Sequence, residues 1–64
     1  MNASDLGREV IGRTVEYTKP KYPGWRVIPN VTMLTHTKKK VGVRGGMYGN
    51  HDHSLKPDWE VRVV

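Results

Sequence analysis

In the stretch Tyr48 to Pro57, "YGNHDHSLKP", His51, Asp52 and His53 occupy consecutive positions of a chain with three histidines in all. Imidazoles and carboxylates are the side chains that ligate metal ions, and imidazole also carries protons near neutral pH. In an extended segment His51 and His53 project to one side, because side chains alternate along a strand. With His36 and either Asp52 or Asp58 they would offer three nitrogens and an oxygen, a set that suits zinc. The spacing has none of the specificity of paired Cys-x-x-Cys ligands, and the neighbouring Gly49 and Asn50 favour a hydrated surface loop. No metal and no other cofactor is therefore expected.

The four residues Gly49 to Asp52, "GNHD", resemble the Asn-His core of calcineurin-like metallophosphatases, where such residues help hold a two-metal centre. That centre needs further ligands upstream, in Asp-x-His and Gly-Asp patterns. The upstream acids here are Asp5, Glu9 and Glu16, and none has a histidine two residues on. The resemblance thus implies no phosphatase activity. Nucleophilic catalysis has no better support: the chain has no cysteine, and Ser4 and Ser54 lie in neither an elbow nor a Ser-x-x-Lys context. "VRGGMYGN" is rich in glycine but lacks the Lys-Ser/Thr end of a phosphate loop. No catalytic residue is expected, and the chain reads as a non-enzyme. The histidines keep one role, that of adding positive charge to a basic surface as the pH falls toward about 6.

The stronger signal is the distribution of charge. Eleven Lys and Arg against six Asp and Glu give a formal charge of +5 on 64 residues. Acids occur at Asp5, Glu9 and Glu16 and then not until Asp52, Asp58 and Glu60; between Tyr17 and His51 all seven charges are positive. These are Lys19, Lys21, Arg26, Lys38, Lys39, Lys40 and Arg44. Such cations neutralise phosphates with release of counterions, and exposed aromatic rings stack on bases. Tyr22 and Tyr48 are the expected stacking residues. Trp25 and Trp59 are expected in the core, since a domain with no Phe needs its largest side chains inside.

Strands must position these groups. "VIGRTVEYT" alternates from Val10 to Thr18 and reads as a first strand. "KPKYPG", Lys19 to Gly24, reads as an ordered loop. "WRVI" and "VTMLTHT" are strand-like on either side of Pro29-Asn30, where Pro29 implies a bulge, an edge or a break. "HTKKKVGVRGG" reads as a hairpin with Lys38 to Lys40 near its turn, and residues 45–57 as a long loop without apolar periodicity. "DWEVRVV" closes the chain with the clearest alternation, Trp59, Val61 and Val63 on one face. At the start, Ser4 as N-cap, with Gly7 and Gly12 following, permits at most one short helical turn.

The expected fold is mainly β: a single domain over residues 1–64 forming a small SH3-like or OB-like antiparallel barrel of four to five short strands. A chain of this length buries only about 60% of its unfolded surface, and without cysteine it has neither disulfide nor thiolate zinc to hold it, so packing or a partner must. The composition fits a reducing, cytoplasmic setting, and no apolar run approaches a membrane span or a signal peptide. The expected activity is nucleic-acid binding, DNA or RNA, through a Lys/Arg face with little sequence specificity. The alternative is a protein-interaction domain, such as a small inhibitor or accessory factor of the kind phages encode, docking on an acidic enzyme surface.

Overall fold

The computed structural model describes all 64 residues, Met1 to Val64. Two single 3-10 turns, Ala3–Asp5 and Arg8–Val10, precede six strands: β1 (Val15–Lys19), β2 (Tyr22–Ile28), β3 (Met33–His36), β4 (Val41–Gly45), β5 (His51–Leu55) and β6 (Glu60–Val63). They form two antiparallel three-stranded sheets, ordered β2-β1-β6 and β3-β4-β5. The protein is mainly β. It has six strands where four to five were expected, two helical turns where at most one was, and no ladder joins the two sheets into a closed barrel.

The last strand pairs with the first, matching Val15 with Val63 and Tyr17 with Val61. Val15, Tyr17 and Val61 are buried on the inner face, while Glu16 and Arg62 meet on the outer face at 2.6 Å. In the other sheet Val41, Val43 and Leu55 point inward. Eleven buried residues make one apolar cluster, to which the N-terminal segment adds Ala3, Leu6 and Val10. Each strand is too short to bury its own face, so the two sheets and this segment must cover one another.

Four boundaries differ from the sequence reading, each for a physical reason. The first strand begins at Val15 and not at Val10, because Arg8–Val10 coils and Gly12 takes φ +85°, a conformation that breaks an extended run. The expected loop Lys19 to Gly24 shrinks to Pro20 and Lys21, since β2 already includes Pro23 and Gly24. They are tolerated there because β2 is an edge strand with a bulge: Tyr17 pairs with Arg26 but Lys19 with Tyr22. The expected loop 45–57 contains β5, whose only buried side chain is Leu55, so its alternation leaves almost no hydrophobic trace. The N-cap of the first turn is Asn2, not Ser4; the Asn2 backbone N–H donates to the Asp5 carboxylate at 3.1 Å.

Two expected features are present as drawn. Thr37 closes the β3–β4 turn: its hydroxyl accepts from the Lys40 amide at 3.1 Å and its own amide donates to the Lys40 carbonyl at 2.9 Å, leaving Lys38, Lys39 and Lys40 exposed at the tip. Pro29 lies in the break between β2 and β3, where Asn30 turns the chain at φ +51° from one sheet toward the other.

Candidate nucleic-acid interface

The histidines that opened the question are spread over two strands, His36 on β3 and His51 and His53 on β5. His51 and His53 share the inner face of β5, opposite Gly45 and Val43, while Asp52 points to the outer face. The His53 ring packs edge-on against Tyr17, 6.4 Å between centroids, and is half buried. His36 sits on β3, its Nε2 2.7 Å from the Leu6 carbonyl, which can only accept, so that nitrogen carries the proton. No three His, Asp or Glu side chains converge.

Two surface depressions remain. The larger, about 270 Å³, lies on the outer face of β3-β4-β5, where Gly42 leaves a gap between Thr35 and Ser54. Arg44 is committed at its edge: Nε donates to Asp52 Oδ1 at 2.7 Å, with a second, longer contact of 3.5 Å from Nη2. This pairing holds Asp52 below the ordinary carboxylate range and Arg44 above its own ordinary value, through the hydrogen bond first and the opposite charge second. A depressed carboxylate favours the fold above its unfolded pKa and loses that contribution as pH falls through the folded value. We therefore expect the Asp52 carboxyl carbon, followed by NMR, to titrate below the ordinary aspartate range, and Arg44→Gln to return it toward that range.

The second depression, about 240 Å³, has a different character. Its walls are Lys19, Lys21 and Tyr22 from the β1–β2 turn and Lys56 and Trp59 from the approach to β6, with Asp58 the only carboxylate. Three ammonium groups thus face one carboxylate and two aromatic rings. The Lys19 ammonium lies 5.9 Å from the Tyr22 ring centroid and 5.5 Å from that of Trp59. Trp59 is parallel to Tyr17, 4° between planes and 6.0 Å between centroids. The N-terminal segment pins the wall that carries Lys56 and Trp59, as the Ala3 and Ser4 amides donate to the carbonyls of Trp59 and Pro57 at 2.9 and 3.0 Å.

The β4–β5 register extends this basic surface. Val41 pairs with Leu55, so Lys40 and Lys56 leave adjacent strands at the same end of the sheet. Lys38 to Lys40 therefore share an end of the molecule with Lys56, which in turn lines the groove with Lys19 and Lys21. Arg26 stands opposite Tyr17 in the register of the other sheet, on the same face. Tyr48 lies elsewhere: it is 96% exposed in the β4–β5 turn, at the opposite end of these strands.

The sequence-predicted set is thus divided. Lys19, Lys21 and Tyr22 line one groove; Lys38, Lys39 and Lys40 stand on the β3–β4 turn at the same end of the sheet as Lys56, Lys40 also lining the depression on the outer face of β3-β4-β5; Arg26 lies on β2 outside both depressions, Arg44 is held by Asp52, and Tyr48 is remote. Two members of the groove, Lys56 and Trp59, were not among the predicted contacts. Lys56 lies outside the uninterrupted cationic stretch, and Trp59 was assigned to the core; it packs against the core while only half buried. Trp25, also assigned to the core, is instead 38% exposed on the outer face of β2, with the Arg62 guanidinium 4.0 Å above its ring.

Comparisons with family models, with curated proteins and with solved structures gave no match to this chain.

Proposed function

We propose that this protein is a non-enzymatic nucleic-acid-binding module that holds the phosphate backbone on one basic end. The observation that carries the reading is the groove that Lys19, Lys21 and Lys56 line together with Tyr22 and Trp59, with Lys38 to Lys40 on the turn at the same end of the sheet as Lys56. Ammonium groups provide the salt-sensitive, sequence-independent part of such binding, and ring faces add contacts that any base can satisfy. No helix is placed to enter a major groove, so little sequence specificity is expected. We take the two facing sheets as an open form of a small SH3-like or OB-like barrel, working in the cytoplasm. No helix of the chain is long and apolar enough to cross a membrane.

The test is binding of labelled single- and double-stranded DNA and RNA across a salt series. Micromolar or tighter binding that weakens steeply with salt is the expected result; no binding at low salt would refute the proposal. One feature favours docking on a protein surface instead: Trp25 and Val27, 38% and 52% exposed, lie on the outer face of the edge strand β2. A partner held there would lose affinity on Val27→Asp while nucleic acid would not.

A further inference from the structure

We infer that the groove between the β1–β2 turn and the Lys56 to Trp59 segment is a subsite for one unpaired base and its adjoining phosphates, so that the protein selects single strands over duplex. The inference rests on the nucleic-acid reading and adds to it the form of the strand. Inside a duplex each base face is covered by its neighbours and only edges reach the grooves, whereas an unpaired base offers its whole face to an aromatic ring.

The groove offers two rings close to one ammonium. Tyr22 is 60% exposed and Trp59 is half buried, and Lys19 approaches both within 6 Å of their centroids. The Trp59 backbone is fixed before any ligand arrives, its carbonyl accepting from the Ala3 amide at 2.9 Å and its amide donating to the Lys56 carbonyl at 3.1 Å, and its ring lies parallel to Tyr17. A wall already fixed loses little freedom on binding. Lys19 has a flexible stem, so its ammonium can leave the rings for a phosphate as a base takes its place, with Lys21 and Lys56 holding the phosphates on either side. The depression on the outer face of β3-β4-β5 lacks these features, since no aromatic ring lines it and its arginine is paired.

The experiment compares three probes of equal length: oligo(dT), a duplex, and an abasic deoxyribose-phosphate strand that keeps the charges and has no bases. Affinity is read by anisotropy, and tryptophan emission is followed in a Trp25→Phe background so that it reports Trp59 alone. We expect oligo(dT) to quench that emission and to bind about tenfold or more tightly than either other probe. Tyr22→Ala, at an exposed position, is expected to remove about tenfold of the oligo(dT) affinity with the salt slope unchanged, because tyrosine carries no charge. Equal binding of the abasic strand or the duplex, with Tyr22→Ala silent, would overturn the base subsite and leave the phosphate-contact reading standing. Failure of all three probes to bind would overturn both.

Discussion

Leu55→Ala is expected to unfold a large part of the protein at room temperature. Leu55 is 1% exposed, pairs with Val41 across β4 and β5, and is the one buried residue that β5 contributes to the apolar cluster. Truncating a buried leucine costs about 2–5 kcal/mol, the range reflecting how far the surroundings collapse into the gap. A 64-residue domain that has no cysteine, and so no disulfide, draws only about 3–5 kcal/mol from its core. The loss is therefore comparable with the whole stability. Thermal melting followed by circular dichroism should show a midpoint lowered by more than about 10 °C, since each kcal/mol moves a domain of this size by about 4–8 °C. Val64→Ala, at a position 63% exposed whose backbone bond to Thr14 survives the change, should melt like the parent. A Leu55 variant that melted within a few degrees of the parent would contradict the packing described for β5. The same substitution bears on the groove, because Lys56 is the residue that follows.

The largest effect on binding is expected from the lysines. Two triple variants divide the basic end: Lys19, Lys21 and Lys56→Ala remove the groove cations, and Lys38, Lys39 and Lys40→Ala remove those of the adjoining turn. Each phosphate contact to a single strand contributes about 0.7 to the slope of log affinity against log salt. Either triple should make that slope shallower by about 2 and weaken low-salt binding by roughly one to two orders of magnitude. Lys19 is only partly exposed, so the first triple needs a melting curve beside it; the turn lysines are fully outside the core. Arg44→Gln is the informative control. Its guanidinium is engaged by Asp52, and it should change the slope little although it belongs to the same run of cations in sequence. A strong effect of Arg44→Gln with weak effects of both triples would move the interface to the outer face of β3-β4-β5.

The strands that alternate apolar and polar residues could be read from the chain alone. Val61 and Val63, Val41 and Val43, and the pairing of last strand with first follow from period-two patterns and from the need to cover an apolar edge. Strand β5 was hidden because its inward positions are two histidines and one leucine, and only the pairing with β4 makes it a strand. Strand β2 was cut short because Pro23 and Gly24 ordinarily signal a turn, and nothing local shows that they lie in a bulge on an edge. The basic site was legible as a class and not as a place. Lys38 to Lys40 stand at a turn tip as drawn, but the groove joins residues about 35 positions apart in the chain, Lys21 with Lys56, through the pairing of β1 with β6, which sets Thr18 opposite Glu60. Arg44 shows the reverse case: its partner Asp52 lies across a strand pair that the sequence pattern does not reveal.

The central claim is that nucleic acid sits on the end that carries Lys19, Lys21, Lys38 to Lys40 and Lys56. Titrating the ¹⁵N-labelled protein with a short single strand at low salt, and following every amide together with the Trp59 indole N–H, tests it most directly. Shifts concentrated at residues 19–22, 38–40 and 56–59, with the turn around Tyr48 unmoved, are the result this account predicts. Shifts confined to that turn or to the outer face of β2, or none at all, would contradict it.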